Sequence, residues 1–243
     1  MTKNQPKVSE ISLFLPTYNE EEVIAQTIKK SDKILKKIAA KYEILVVNDG
    51  STDDTAKVVK KLIEKNDNIR MITHDPNRGY GGALKSGLKE SKYSHISFID
   101  SDGQFDYSEI DKFLPYLGQF DLVIGYRLDR QDNILRKLNA LLWKLWVWLL
   151  FGLWVKDIDC GFKVVKDDVV DNITLSTESA FTEAEFLIRA KQQGFSFKQV
   201  GVHHYPRTVG TATGADFKVI LKAVKESILL WYKLNFLSHD SKD

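Results

Sequence analysis

Short apolar runs alternate with helical patterns along the first half of the chain, and this alternation most constrains the fold. The runs are rich in valine and isoleucine and end in turn-forming residues; they occupy residues 11–15, 43–48, 69–73, 95–100 and 121–124. Helical patterns lie between them at residues 20–39, 53–64, 82–91 and 108–114. Alternating strands and helices predict an α/β fold, with a mostly parallel central sheet and helices on both faces.

The second half of the chain has a different character. Residues 138–155 are almost wholly apolar and contain four tryptophans, which predicts a helix that is either buried or exposed to lipid. A further helix is expected at residues 182–193 and a strand at 195–202. Residues 216–234 carry apolar side chains at helical spacing, with lysines on the other face, and predict a C-terminal amphipathic helix.

Polar clusters follow the predicted strands where each one ends, and parallel sheets place their binding sites at that end. The sharpest cluster is Asp100-Ser101-Asp102-Gly103-Gln104. In an extended segment Asp100 and Asp102 point the same way, and two carboxylates ~4 Å apart repel by about 4 kcal/mol. A divalent cation removes that repulsion, and oxygen ligands favour Mg²⁺ or Mn²⁺, with Gln104 as a third ligand. The alternative is a simple turn at Asp102-Gly103.

Two more clusters are compatible with nucleotide binding. Asp49-Gly50-Ser51-Thr52-Asp53 offers carboxylates to a base or ribose, or else caps the next helix. The glycine-rich stretch at residues 77–83 is expected either to begin a helix and lie close to the phosphate of a bound nucleotide, or to form a flexible turn. The sequence has no phosphate-binding loop ending in Gly-Lys-Ser/Thr, and the first strand is followed by Pro16-Thr17-Tyr18-Asn19-Glu20, which has no glycine. A dinucleotide-binding Rossmann domain is therefore not expected.

Charge and cysteine content exclude other classes of protein. The 35 basic and 33 acidic residues leave a net charge of +2, without the basic excess of a nucleic-acid-binding protein. The single cysteine, Cys160, allows no intrachain disulfide, and the polar N-terminus shows no secretory signal.

Taken in order, the motifs resemble the family 2 glycosyltransferases of GT-A fold. The resemblance is carried by residues 16–20, 47–53 and 100–104. Residues 77–87 and Asp157-Ile158-Asp159-Cys160-Gly161-Phe162-Lys163 are similar to those of the polyprenyl-phosphate sugar synthases, such as the dolichol-phosphate mannosyltransferases. The resemblance covers residues 9–218. It implies a GT-A catalytic domain over residues 1–213, followed by the amphipathic helix within 214–243.

The resemblance also implies roles for individual residues. The residues expected to bind the nucleotide sugar are Pro16, Tyr18, Glu20, Asp49, Asp53, Asn77, Arg78, Asp100, Ser101, Asp102, Arg207 and Lys218. Asp100, Asp102 and Gln104 would hold Mg²⁺ or Mn²⁺, and Arg127, Arg136 and Lys163 would meet the acceptor. Asp102, Arg127, Asp157 and Asp159 are the expected catalytic residues.

The implied reaction is an inverting transfer of a hexose, mannose or glucose, from GDP-mannose or UDP-glucose to a polyprenyl phosphate. A phosphate acceptor is already anionic, so positioning and charge stabilisation would carry catalysis. If the acceptor is a glycan or other hydroxyl, a base is needed, and Asp157 or Asp159 is the candidate. The competing interpretations are a nucleotidyltransferase and a non-catalytic protein that binds a sugar nucleotide or acts as a membrane scaffold.

The helix at about residues 136–155 bears on localisation. A single membrane crossing would put motifs of one site on opposite sides of the bilayer, so we expect an interfacial or buried helix. The expected location is peripheral, on the cytoplasmic face of a membrane. A small membrane partner subunit or a homo-oligomer is compatible with this surface, and no nucleic-acid partner is expected.

Overall fold

The computed structural model of the protein describes residues 7–128, 134–207 and 217–237. The strands of this part are β1 (Val8–Thr17), β2 (Ala39–Asn48), β3 (Ile69–Thr73), β4 (His95–Phe98), β5 (Leu122–Arg127), β6 (Lys163–Lys166) and β7 (Phe197–Val202). The helices are α1 (Ile24–Ile38), α2 (Thr55–Ile63), α3 (Gly79–Glu90), α4 (Ile134–Phe151), α5 (Asp167–Asp171), α6 (Thr182–Gln192) and α7 (Phe217–Tyr232).

The strands form one mixed sheet in the order β3-β2-β1-β4-β6-β5-β7. β1 pairs in parallel with both β2 and β4, β2 pairs in parallel with β3, and β5 pairs in parallel with β7. β6 is antiparallel to both of its neighbours, β4 and β5. The expected mostly parallel α/β sheet is therefore confirmed.

Helices cover both faces of the sheet because the central strands are apolar on both faces. Along β1, Leu13 and Leu15 enter the core beneath α1, which contributes Ile24 and Ile28. Phe14 faces the other way, into the core that α3 and α6 cover. These side chains are fully buried, and each such burial stabilises the fold by about 1.5–3 kcal/mol. This two-sided core fixes the sheet whose carboxyl end carries the polar loops.

The element boundaries depart from the sequence expectations in a few places. β6 and α5 were not predicted, because β6 is only four residues long and has a lysine at each end. The helix expected at residues 108–114 forms two 3₁₀ turns, Tyr107–Lys112 and Leu114–Tyr116. α4 ends at Phe151 rather than 155, because Gly152 adopts a positive φ of 64°, the usual conformation just past a helix end.

The helices α4 and α7 pack against each other near the second core. The indole Nε1 of Trp146 donates a hydrogen bond to Ser227 Oγ at 3.0 Å, and Trp143 packs edge-on against the ring of Phe181. α7 continues as a π-helical segment, Lys233–Leu237. In the described ranges, no helix has both the length and the apolarity that a bilayer crossing needs.

Close packing between α3 and the sheet makes one glycine a sensitive position. A Cβ at Gly87 would come within 3.0 Å of the ring of Phe14, which is fully buried and stacked on Phe98. We expect Gly87→Ala to lower the free energy of unfolding by about 1–3 kcal/mol, because overpacking outweighs the better helix propensity of alanine. Urea denaturation checks this, with Gly118→Ala as the control because that position faces open space. A Gly87→Ala protein as stable as the control would contradict the packing described here.

Candidate active site

The carboxyl ends of β1, β2 and β4 bring the separate motifs to one place. The hydroxyl of Ser101, just after β4, donates to the carbonyl oxygen of Pro16 in β1 at 2.7 Å. The hydroxyl of Thr27 in α1 donates to the carbonyl of Ser101 at 3.3 Å. Ser101 is buried, so its contribution is to fix the acidic loop against β1.

Asp100 lies at the centre of this region. It accepts a hydrogen bond from the hydroxyl of Tyr80 at 3.2 Å. A Cβ at Gly161 would overlap its carboxylate, so the glycine lets the 157–162 loop approach Asp100 closely. Burial, and then the charges of Asp102 and Glu183, raise the pKa of Asp100 to about 7. A nearby cation stabilises a carboxylate whose ionised form is disfavoured in this way.

Asp102 lies beside an arginine that comes from the far end of the sequence. The guanidinium of Arg207 contacts Asp102 Oδ2 at 3.3 Å and Glu20 Oε1 at 2.5 Å. Burial raises the pKa of Glu20 to about 6; Arg207 opposes this shift, and Asp102 adds to it. Arg207 therefore bridges the loop after β1 and the loop after β4.

The segment that carries Arg207 is joined to the acidic loop by two hydrogen bonds. The amide nitrogen of Gln104 donates to the carbonyl of Tyr205, and the backbone N–H of Tyr205 donates to the carbonyl of Gln104, both at 2.9 Å. The side chain of Gln104 thus holds the Arg207 segment in this structure, while its expected role as a metal ligand stays a prediction.

Asp49 organises the loop after β2. Its Oδ1 lies 2.6 Å from Nδ1 of His74 and accepts the backbone N–H of Arg78 at 2.9 Å. The side-chain amide of Asn77 donates to the carbonyl of Asp49 at 2.6 Å. The guanidinium of Arg78 in turn pairs with Glu178 at 2.5 Å. Asp49, Asn77 and Arg78, all expected nucleotide-binding residues, are therefore in direct contact.

Asp53, which the sequence left open as a possible helix cap, contacts the start of α2 from the residue before the N-cap, Asp54. Its Oδ1 accepts the N–H of Thr55 at the start of α2, and its Oδ2 accepts the N–H of Glu21. Its carboxylate therefore also ties the loop after β2 to the loop after β1. Tyr18 in that loop is exposed and available to a bound base.

A second group of residues lies beyond Asp100, at the end of β5. Arg127 forms a bidentate pair with Asp157: its Nε lies 2.6 Å from Oδ2, and its second terminal nitrogen lies 2.7 Å from Oδ1. Both side chains are largely buried, at 11% and 8% exposure. Asp157 is thus committed to holding Arg127, whereas Asp159 is exposed. Partial desolvation by the surrounding protein, and then the charges of Glu183 and Asp157, raise the pKa of Asp159 to about 7.

Lys163 corrects one sequence expectation. It was expected to meet the acceptor, but its side chain is fully buried and its ammonium pairs with Glu183 on α6. Direct contact with an acceptor is not available to it in this geometry. Of the other expected residues, Lys218 lies exposed in the first turn of α7, and the side chain of Arg136 lies outside the described residues.

Four residues of this region are not among the site residues predicted from sequence: His74, Tyr80, Glu178 and Glu183. Tyr80 had a sequence signal, because it lies inside the glycine-rich stretch that opens α3. Glu178 had no sequence signal, because its partners, Arg78 and Lys85, lie far away in the sequence. The sequence predicts for Glu183 a place on a solvated or packed helix face, or a role in orienting Arg207, whereas the structure pairs it with Lys163.

The arrangement suits a divalent cation that is shared with a substrate. Among the described residues and contacts, six carboxylates of the region stand against three cations that pair with members of this group; the carboxylates are Glu20, Asp100, Asp102, Asp157, Asp159 and Glu183, and the cations are Arg127, Lys163 and Arg207. Among the described residues no group of three histidine, cysteine or acidic side chains has the geometry of a complete metal site. Asp100 and Asp102 therefore fit an ion only if substrate oxygens supply the remaining ligands.

Comparison with known proteins identifies the class to which this fold and site belong. The model of the family described as "Glycosyl transferase family 2" matches residues 12–180, which is more than half of the chain. The chain belongs to glycosyl transferase family 2 and is a glycosyltransferase.

Relatives within the family can be compared over most of the chain. A dolichyl-phosphate beta-glucosyltransferase of Dictyostelium discoideum is 30% identical over 214 residues, covering 79% of this chain and 65% of its own length. An undecaprenyl-phosphate 4-deoxy-4-formamido-L-arabinose transferase of Pseudomonas fluorescens is 26% identical, covering 86% and 61%. An uncharacterized protein of Methanocaldococcus jannaschii is 29% identical, covering 93% and 95%. The chain thus spans about two thirds or less of the transferases named here.

A solved structure shares the fold. Glucosyl-3-phosphoglycerate synthase from Mycobacterium tuberculosis, in complex with Mn²⁺, UDP-glucose and phosphoglyceric acid, superposes with a TM-score of 0.71 at 19% identity. The match covers 92% of this chain and 79% of that one. The expected GT-A fold is confirmed by this likeness.

The buried Arg127–Asp157 pair leads to a prediction about stability. Asp157→Asn removes the charge and leaves Arg127 buried without a full partner, so we expect a loss of about 3 kcal/mol in the free energy of unfolding. Lys57→Met is the matched control, because it breaks an exposed ion pair with Asp54 and should cost less than about 1 kcal/mol. Urea denaturation of both variants gives the comparison. Equal, small losses would show that the pair does not hold the site together.

Proposed function

We propose that the protein transfers a hexose, with inversion, from a nucleoside-diphosphate sugar to a polyprenyl phosphate at a membrane surface. One observation carries the proposal: a single short loop lies against Asp100 through Gly161 and holds the largely buried Arg127 through Asp157. A site for a donor diphosphate at Asp100 and Asp102 and a site for an anionic acceptor at Arg127 would therefore adjoin. The names of the relatives support the acceptor, since they act on dolichyl and undecaprenyl phosphate.

The donor would bind across the ends of β2, β1 and β4. Tyr18 and Pro16 would contact the base, and Asp49 and Asp53 would accept hydrogen bonds from the nucleoside. Arg207 would turn from Asp102 and Glu20 towards the diphosphate, since a guanidinium binds phosphate with the same fork it offers a carboxylate. UDP-glucose is our first choice over GDP-mannose, because glucosyl transfer is the reaction of the dolichyl-phosphate relative.

Asp100 and Asp102 would hold Mg²⁺ or Mn²⁺. The residues fit such an ion because they present oxygen ligands, and because burial, together with the charges of Asp102 and Glu183, disfavours an ionised Asp100 without a cation beside it. When bound, the ion neutralises charge that develops on the leaving nucleoside diphosphate. The solved structure of similar fold carries Mn²⁺ with UDP-glucose, which supports this assignment.

The acceptor phosphate would bind at Arg127. Asp157 holds this guanidinium in place through two hydrogen bonds, so Asp157 acts as a positioning residue rather than as a base. The phosphate oxygen attacks the anomeric carbon, and the bond from that carbon to the diphosphate oxygen breaks. Both partners carry negative charge, so their approach depends on the cations beside them.

A second candidate function rests on Asp159. Its exposed carboxylate and a pKa near 7 are the properties of a general base, which a hydroxyl acceptor such as a glycan would need. Parallel assays with a polyprenyl phosphate and with hydroxyl acceptors distinguish the two. Transfer to a hydroxyl that is lost in Asp159→Asn would favour the second candidate.

The membrane assignment rests on the exposed faces of α4 and α7. Leu142 and Leu149 on α4 are 55% and 70% exposed, and Leu221 and Leu229 on α7 are also exposed. Exposed leucines on two adjacent helices form an apolar surface that suits acyl chains. Lys144 lies 4.8 Å above the ring of Trp154 and would suit anionic headgroups. A peripheral position on the cytoplasmic face is proposed, and a partner subunit or second copy is an alternative occupant of this surface.

The donor site makes a direct prediction about activity. We expect Asp102→Ala to lower transfer from UDP-glucose to a polyprenyl phosphate by about 10³-fold, because the metal and the diphosphate lose a shared ligand. Asp111→Ala is the control, since that carboxylate is exposed and pairs only with Lys7 in the described contacts. Transfer is measured with labelled donor, with and without chelator. Full wild-type activity in chelator would exclude the metal role, and absence of wild-type transfer with UDP-glucose and GDP-mannose alike would exclude the proposed function.

The apolar surface leads to a prediction about lipid binding. We expect Leu142→Ser/Leu149→Ser to weaken sedimentation with vesicles of phosphatidylcholine and phosphatidylserine by about tenfold or more, since each leucine contributes about 1.5–3 kcal/mol when buried. Trp143 and Trp146 are left in place, because they pack against Phe181 and Ser227. Lys60→Ser, on the distant helix α2, is the control. Unchanged sedimentation of the double variant would refute lipid contact through α4.

A further inference from the structure

The buried ammonium of Lys163 uses all of its hydrogen-bond donors within the protein and has none left for a substrate. Its Nζ lies 2.5 Å from the carbonyl oxygen of Cys160, 3.2 Å from that of Ile158, and in contact with Oε1 of Glu183. Its relative exposure is 0%. An ammonium group has three N–H donors, and these three acceptors use all of them. Lys163 therefore acts on the protein itself.

The two carbonyl groups that Lys163 binds lie on either side of Asp159. The same short loop begins with Asp157, which holds Arg127, and it reaches Gly161, which lies against Asp100. One ammonium group thus fixes the backbone of the loop that supplies the far end of the site. A loop held at both of these carbonyls cannot shift without breaking charge-assisted hydrogen bonds.

Glu183 completes the arrangement from α6. It is 3% exposed, so its carboxylate needs a partner, and Lys163 is the partner that it contacts. Burial alone would lower the pKa of Lys163, but the neighbouring acidic groups, with Glu183 first among them, together raise it, so the ammonium stays charged. The ion pair therefore connects Glu183 on α6 to the backbone of the 157–162 loop, and the ammonium of Lys163, at the start of β6, makes both contacts.

We propose that Lys163 and Glu183 form a positioning pair, which sets the Arg127–Asp157 pair and Asp159 at the acceptor end of the site without touching either substrate. The proposal rests on the proposed function, in that Arg127 is the residue that meets the acceptor. It replaces the direct acceptor contact expected for Lys163, and it assigns Glu183 a role in the reaction.

Steady-state kinetics with separate donor and acceptor titrations test the pair. For Lys163→Met we expect the KM for polyprenyl phosphate to rise about tenfold or more, because the loop shifts, while the KM for UDP-glucose stays within about threefold. Lys166→Met is the matched control: the same substitution on the same strand breaks a partly exposed pair with Asp121, and both KM values should stay unchanged. If donor and acceptor KM rise together, or neither rises, the positioning role is wrong.

Glu183→Gln separates positioning from direct contact. If Lys163 met the acceptor itself, freeing it from Glu183 would leave the acceptor KM unchanged or lower it. If the pair positions the loop, the acceptor KM rises, as in Lys163→Met. An unchanged acceptor KM in Glu183→Gln overturns the proposal.

A double variant tests the proposal if Lys163→Met fails to fold. Replacing both members of a buried ion pair by apolar residues of similar size is often tolerated, so Lys163→Met/Glu183→Leu should fold even where Lys163→Met does not. A folded double variant that still binds UDP-glucose with Mn²⁺ in a thermal-shift titration, but has the raised acceptor KM, supports the pair; wild-type acceptor KM in that variant contradicts it. Wild-type transfer is measured first, since its absence would overturn the proposed function and this inference with it.

Discussion

The excess of negative charge at the carboxyl end of the sheet is the constraint on which the rest of the site depends. Parallel strands bring their following loops to one place, and here those loops carry carboxylates. In the described contacts, Arg207 pairs with Glu20 and Asp102, Arg127 pairs with Asp157, and Lys163 pairs with Glu183. Every one of these contacts joins segments that are distant in sequence. The same interactions that lower the electrostatic energy therefore also assemble the site.

Asp100 differs from these paired carboxylates in its described contacts. Its hydrogen bond comes from the neutral hydroxyl of Tyr80, and its charge is opposed by burial and by Asp102 and Glu183. In the proposed function, Arg207 beside Asp102 would exchange a carboxylate for the donor's phosphate, and Arg127, which Asp157 fixes by two hydrogen bonds, would meet the acceptor. Asp100 is linked to both, since it precedes Asp102 in one loop and lies against Gly161 of the loop that holds Arg127. A cation added beside Asp100 would therefore lower the electrostatic energy of the site.

Much of this could be predicted from sequence because the signals were local. The apolar runs of β1, β2 and β4 end where their polar motifs begin, so the parallel sheet and the meeting of Asp49, Asp100 and Asp102 near one end follow from strand direction alone. The limits appear where local pattern and tertiary contact disagree. Trp143 and Trp146 look the same in sequence as Trp148, yet the first two pack into the protein and the third is exposed. Helical spacing predicts which side chains share one face of a helix. Which part of that face is buried depends on the neighbouring elements that pack against it.

Lys163 shows why the remainder could not be predicted. A lysine inside a polar motif is expected to face solvent, and its burial depends on Glu183, which the sequence offers no reason to pair with it. The direction of β6 supplies the reason. Because β6 runs opposite to β4 and β5, its first residue, Lys163, lies opposite Phe98, the last residue of β4, and opposite Ile124 in the middle of β5. The antiparallel strand β6 thus begins beside the end of β4. The loop that leads into β6 must therefore cross the site that lies beyond that end. A charged residue at that first position is placed under the loop, where it can hold the carbonyl groups of the chain that has just passed over it.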